Sequence, residues 1–167
     1  YEQAGTLRDA LAAAVALEGF HRQCNVLALA NLAQIVNVLH APVMTEGDAL
    51  WLTPTYYALQ LHTPHIGATA LPVDVTHGAS MPGSDSSSVV TATASSNAQG
   101  TAVTLVNRHI SQSASVTLVA PSASVNSAQL LSGDSPRAVN SVQNPNAVKP
   151  AALTVSADGA NHWRIEL

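Results

Sequence analysis

Three carboxamides, Asn31, Gln34 and Asn37, interrupt the apolar run LALANLAQIVNVL at residues 27–39. A primary amide both donates and accepts hydrogen bonds, so these groups could stabilise a core or face a polar ligand. An amide buried without partners is costly, so each must either tie nearby backbone or face a ligand. Read locally, all three also fit one face of a helical turn whose amides satisfy neighbouring backbone groups.

Other chemistry is poorly supplied. Of seven histidines, His62 and His65 lie three apart, but Thr63-Pro64 between them should end any helix there, and His40 stands alone. Without a convincing third ligand set, neither a metal site nor any cofactor is expected. No G-x-S-x-G elbow marks a serine nucleophile. Glu46 and Asp48 are neighbours in a turn, and Glu2, Glu18 and Glu166 have no evident partners, so the facing carboxylates of a glycosidase are not visible. The single Cys24 excludes an internal disulfide framework and, lying beside an apolar run, reads as a small buried hydrophobe.

Composition narrows the classes further. The chain is 47% hydrophobic and 10% charged, with a net charge of −4, which gives no electrostatic basis for binding nucleic acid. Its few aromatics provide no base-stacking platform. No stretch reaches the roughly 20 uncharged apolar residues of a membrane span; residues 26–44 come nearest, but the amides and His40 make lipid a poor setting for them. The opening YEQAGTLRDAL has no signal-peptide pattern and reads as internal to a longer sequence. Compartment stays open.

The elements that must position the amides follow from local pattern. Residues 6–23 predict a helix, with Thr6 and Asp9 spaced as a capping box and Leu7, Leu11, Ala14, Val15 and Phe20 at near-helical spacing. NVLALA, residues 25–30, predicts a short strand buried on both faces, as in parallel sheets covered by helices. A turn is expected over residues 42–48. A second helix should begin at Thr53-Pro54 and run to about Leu61. Residues 78–88 read as a linker. Alternating Val-, Thr- and Leu-rich stretches follow (SVVTATA, TAVTLVN, SASVTLVA, SAQLLSG, AALTVSA and HWRIEL), with hairpin loops expected at residues 95–100 and 157–162. Trp163 alternates with Ile165 and Leu167 as core of the final strand.

The halves therefore differ in kind. Residues 1–66 are helix, buried strand, helix; residues 67–167 are all-β. A parallel strand cannot satisfy its backbone without neighbours, and the first 66 residues offer none. This segment should complete a sheet or barrel supplied by other sequence. If the strand extends to residue 33, Gln34 sits at its C-terminal end, where barrel active sites are built.

The residues also carry a family likeness. Asp9-Ala10-Leu11, Ala33-Gln34-Ile35-Val36-Asn37-Val38 and Met44-Thr45-Glu46 resemble, in order, the pre-strand helix, the post-strand motif and the following turn near the end of the catalytic barrel in α-L-arabinofuranosidases of glycoside hydrolase family 51. TPTYYALQLHTPHIGA (residues 53–68) is similar to that family's last barrel helix. LVNRH, LLSGD and NPNAVKP are similar to parts of its C-terminal sandwich.

The resemblance implies an α/β plus all-β fold: the last helix–strand–helix portion of a (β/α)8 TIM barrel in residues 1–66, then a jelly-roll-like antiparallel β-sandwich in residues 67–167. It implies a retaining glycosidase acting on terminal arabinofuranosyl units of arabinan and arabinoxylan, assembled as an oligomer. The family's two catalytic glutamates lie in upstream motifs that are not in this sequence, so no catalytic residue is assigned. The chain alone is expected to be inactive, with the remainder of the barrel as its partner. Gln34 carries over as the substrate-binding side chain. Two alternatives stand beside this: a non-catalytic β-sandwich module binding polysaccharide or a partner protein, and a fragment of another barrel-plus-sandwich glycosidase.

Overall fold

The computed structural model describes residues 4–32, 34–81, 83–84, 87–121 and 123–167. Glu2, Ala33 and part of the expected linker lie outside the described residues.

Helix α1, Leu7–Arg22, begins where the capping box places it: the Thr6 N–H donates to Asp9 Oδ2 at 2.7 Å, and the Asp9 N–H donates to Thr6 Oγ1 at 3.3 Å. Two further first-turn donors, which no helix can satisfy internally, reach a distant segment: Leu7 N–H to the Ala138 carbonyl and Arg8 N–H to that of Pro136, both at 2.9 Å. Helix α2, Pro54–His62, starts with proline at its first turn. Thr53 occupies the cap position but does not cap; its hydroxyl donates to the Ala41 carbonyl at 2.9 Å. The helix ends at His62 and passes into a 3-10 turn, Thr63–His65, as the Thr63-Pro64 pair predicts.

The two helices pack through small side chains. Leu7, Ala10 and Ala58 form a buried cluster with Val148, flanked by Leu131 and Ala138. Gly133 belongs to this seam: a Cβ there would come within 3.2 Å of Ala138 Cβ and 3.3 Å of Val148 Cγ2.

The expected turn over residues 42–48 is instead a hairpin, β1 (Val43–Glu46) with β2 (Ala49–Leu52), reversing at Gly47 and Asp48. Gly47 takes φ +56°, a left-handed geometry that glycine adopts without strain. Four-residue strands are too short for periodicity to reveal.

The expected buried strand at residues 25–30 is not formed. The chain leaves α1 through a turn, with Val26 and Leu27 N–H groups both returning to the Gln23 carbonyl, and runs on without a ladder. Val26 and Leu29 are 72% and 76% exposed. A strand exists only through hydrogen bonds to neighbours, and no described strand runs beside this segment. Cys24, expected to be buried beside that strand, is consequently exposed.

The remaining ladders are all antiparallel. Strand β3 (Thr69–Leu71) pairs with β4 (Val90–Asn97), which turns tightly at Ala98-Gln99 into β5 (Gly100–Asn107). Strand β6 (Ser115–Val119) lies against β10 (His162–Glu166). AALTVSA divides: Ala151–Ala152 (β8) pairs with Gln129–Leu130 (β7), while Ser156–Ala157 (β9) pairs with β10. The expected linker closes on itself through a Ser80–Ser88 bridge.

Candidate functional site

The three amides have separate fates. Asn31 and Gln34 are exposed, and among the described residues neither side chain has a hydrogen-bond partner. Asn37 is tied down. Its Oδ1 accepts the Thr45 backbone N–H and its Nδ2 donates to the Thr45 hydroxyl, both at 2.8 Å.

Around Gln34 the backbone is organised by β1. Residues 35–37 run parallel to Val43: the Val43 N–H donates to the Ile35 carbonyl and the Asn37 N–H to the Val43 carbonyl, both at 3.1 Å. Asn37 and His40 take left-handed φ values of +52° and +61°. Such angles bend the loop sharply, and asparagine tolerates them better than most residues. His40 also approaches α1, its Nε2 at 3.6 Å from Asp9 Oδ1. Burial pushes the Asp9 carboxyl up, but the Thr6 hydrogen bonds, with His40 and Arg8, hold it below the usual carboxylate range.

The surroundings of Gln34 are apolar and uncovered. Leu32, Ile35, Val36 and Leu39 are all exposed, with Ile35 at 64%. A run of large aliphatic side chains in water is unusual for a finished protein surface and is typical of a surface that meets another. An amide within that face can donate and accept at once.

The carboxylates take no part in this face. Glu46 and Asp48 are exposed at the end of the β1–β2 hairpin. Glu18 is fully buried (0%) against β4, where it accepts from the Thr91 hydroxyl at 2.6 Å. Burial raises the Glu18 carboxyl above its ordinary range, partly offset by the Thr91 hydrogen bond and by Arg22, Arg108 and His21.

Sequence reasoning missed a histidine cluster at the junction of helices and sheet. The His65 ring centroid lies 5.0 Å from that of His62 and 5.2 Å from that of His21. His65 bridges two strands, with Nδ1 2.7 Å from the Ser95 hydroxyl and Nε2 2.8 Å from that of Thr104. His21 Nε2 lies 3.0 Å from the Ala94 carbonyl. These ring nitrogens are committed to β4 and β5. Among the described residues no group of three or more His, Cys, Asp or Glu is arranged to hold a metal ion. Burial, then the neighbouring His65 and His21, lowers His62 to a pKa of about 4. Burial and His21 lower His65. The His62–His65 pair was visible in sequence by its spacing; the approach of His21 was not.

A cleft of about 270 Å³ lies between the end of α1 and strands β3 and β4, lined by His21, Arg22, Cys24, Leu71, Val73 and Thr93 among others. None of the three amides lines it.

The family model for the α-L-arabinofuranosidase C-terminal domain matches residues 1–167. The intracellular exo-α-L-arabinofuranosidase of Bacteroides ovatus is 36% identical over 153 residues, which is 89% of this chain and 30% of that relative. The crystal structure of the GH51 arabinofuranosidase from Xanthomonas axonopodis pv. citri matches with a TM-score of 0.82 at 29% identity, over 99% of this chain and 34% of that one. The thermostable GH51 α-L-arabinofuranosidase of Thermotoga petrophila RKU-1 shares the fold, with a TM-score of 0.77 at 22% identity. The chain therefore spans well under half the length of each of these relatives.

Proposed function

This chain belongs to the α-L-arabinofuranosidase C-terminal domain family, and from that premise we propose that it is the C-terminal portion of a retaining α-L-arabinofuranosidase. Residues 1–66 close the catalytic barrel, and residues 67–167 form the accessory β-sandwich. The barrel's remaining sequence supplies the acid that protonates the leaving oxygen and the carboxylate that forms the glycosyl-enzyme. The substrates are terminal arabinofuranosyl units of arabinan and arabinoxylan, and the assembled enzyme is an oligomer.

One observation carries this reading: exposed aliphatic side chains, Leu29, Leu32, Ile35 and Val36 among them, flank a glutamine whose amide is unpaired among the described residues. Docked against neighbouring barrel strands, residues 25–32 acquire the ladder they lack alone. Gln34 then lies at the rim, where its amide orients the furanose by donating to one hydroxyl and accepting from another.

The test is Gln34→Ala in the complete enzyme, assayed on an aryl arabinofuranoside. Losing a sugar hydrogen bond should lower kcat/KM about tenfold. Unchanged kinetics would remove Gln34 from the site.

A further inference from the structure

We propose that Asn37 is a positioning residue that holds Gln34 in its binding geometry through a two-point clasp on Thr45; this rests on the reading of Gln34 as the sugar contact. Gln34 is followed by a loop whose buried anchor, Ala41, comes only at its far end. Within this chain Ile35, Val36 and Leu39 are exposed and, among the described residues, pack on nothing that fixes the loop near Gln34. Among the described residues, three side-chain contacts fasten residues 34–41 to the rest of the fold: the Asn37–Thr45 clasp, the looser 3.6 Å approach of His40 to Asp9, and the Thr53 hydroxyl donating to the Ala41 carbonyl at 2.9 Å; of these the clasp is nearest Gln34.

The clasp has a rigid base. Thr45 lies in β1, paired opposite Leu50 of β2. The end of that hairpin is tied into the core: the Leu52 carbonyl accepts from buried Asn140 at 2.9 Å, and the Thr53 N–H donates to the Pro42 carbonyl at 2.9 Å. The side-chain path from the core that reaches nearest to Gln34 runs through Asn140, the hairpin, Thr45 and Asn37, beside the backbone bonds of Val43 to Ile35 and Asn37. The asparagine has two separable jobs there. Its backbone sits at φ +52°, and its amide uses one acceptor and one donor on the same residue. Glycine would meet the first requirement without strain and lacks the second. A side chain that must orient a substrate loses rate steeply when its support loosens by even an ångström.

The experiment is a double-mutant cycle in the complete enzyme, with kcat and KM on an aryl arabinofuranoside and a thermal midpoint for every variant. Asn37→Gly should lower kcat/KM on the order of tenfold while moving the thermal midpoint little. Thr45→Ser, which keeps the hydroxyl, should stay near the wild type. In a Gln34→Ala background, Asn37→Gly should have no further effect, because its influence passes through Gln34. Should Asn37→Gly not fold, Thr45→Val, which removes the hydroxyl that Nδ2 grips, takes its place in the cycle. Equal losses from Asn37→Gly in both backgrounds, or no loss while Gln34→Ala is impaired, would overturn the proposal. If Gln34→Ala is itself silent, the reading of Gln34 fails first, and the cycle shows that separately.

Discussion

Asn140 grips Val148 with both ends of its amide: Nδ2 donates to the Val148 carbonyl at 2.8 Å, and Oδ1 accepts the Val148 N–H at 2.7 Å. The same Nδ2 donates to the Leu52 carbonyl at 2.9 Å, so one buried side chain joins the β1–β2 hairpin to the segment that packs on α1. Replacing Asn140 with Leu should destabilise the chain by about 2 to 4 kcal/mol, because buried backbone groups lose their partners and cannot recover them from water. Urea unfolding followed by circular dichroism measures this directly. A change below about 0.5 kcal/mol, the scale of a neutral surface substitution, would mean that water replaces the amide.

The buried histidines make the helix–sheet junction acid-sensitive. His62 has its pKa lowered to about 4, so between there and 6.5 the unfolded chain binds more protons than the folded one. The stability that neutral His62 contributes is complete above pH 6.5 and is lost as pH falls through about 4. The full shift corresponds to at most about 3 kcal/mol. His65 acts in the same direction. Glu18, which packs on the same junction with its carboxyl raised, acts oppositely: its contribution is present below its unfolded value of 4.5 and is lost as pH rises through the raised folded value. Arg22 and Arg108 are the cations that favour ionised Glu18. Urea midpoints measured from pH 8 to pH 4 should fall on acidification, and His62→Gln should flatten that slope. An identical slope in the variant would contradict the assignment.

The exposed aliphatic side chains around Leu29 and Ile35 can be separated from the folding core. Leu29 is 76% exposed, so Leu29→Asp should change the stability of the isolated chain by no more than about 0.5 kcal/mol. On the proposed reading it should nevertheless abolish association with the upstream polypeptide, since a charge would enter the dry strand environment that this reading gives Leu29. Unfolding midpoints and a binding titration with the upstream polypeptide give the two readouts. A variant that binds as well as the wild type would place the contact elsewhere.

What was legible in the sequence depends on how local each signal is. Thr6 and Asp9 sit three apart, and the helix they start is where they predict it. SVVTATA and TAVTLVN alternate over enough residues to reveal β4 and β5. Residues 25–30 carry strand composition without forming a strand, because composition provides side chains while hydrogen bonds come from neighbours. The Asn37–Thr45 clasp spans a loop and a hairpin of four-residue strands, so no periodicity exposes it. His21 meets His65 only through the packing of α1 on the sheet.

On the proposed reading, this chain completes an arabinofuranosidase whose catalytic carboxylates lie elsewhere. Mixing the purified chain with the upstream polypeptide and following release of an aryl leaving group from an arabinofuranoside tests it most directly. Hydrolysis should appear with both together and with neither alone, and should fall about tenfold when the added chain carries Gln34→Ala. Full activity from the upstream polypeptide by itself, or none from the mixture once binding has been demonstrated, would contradict it.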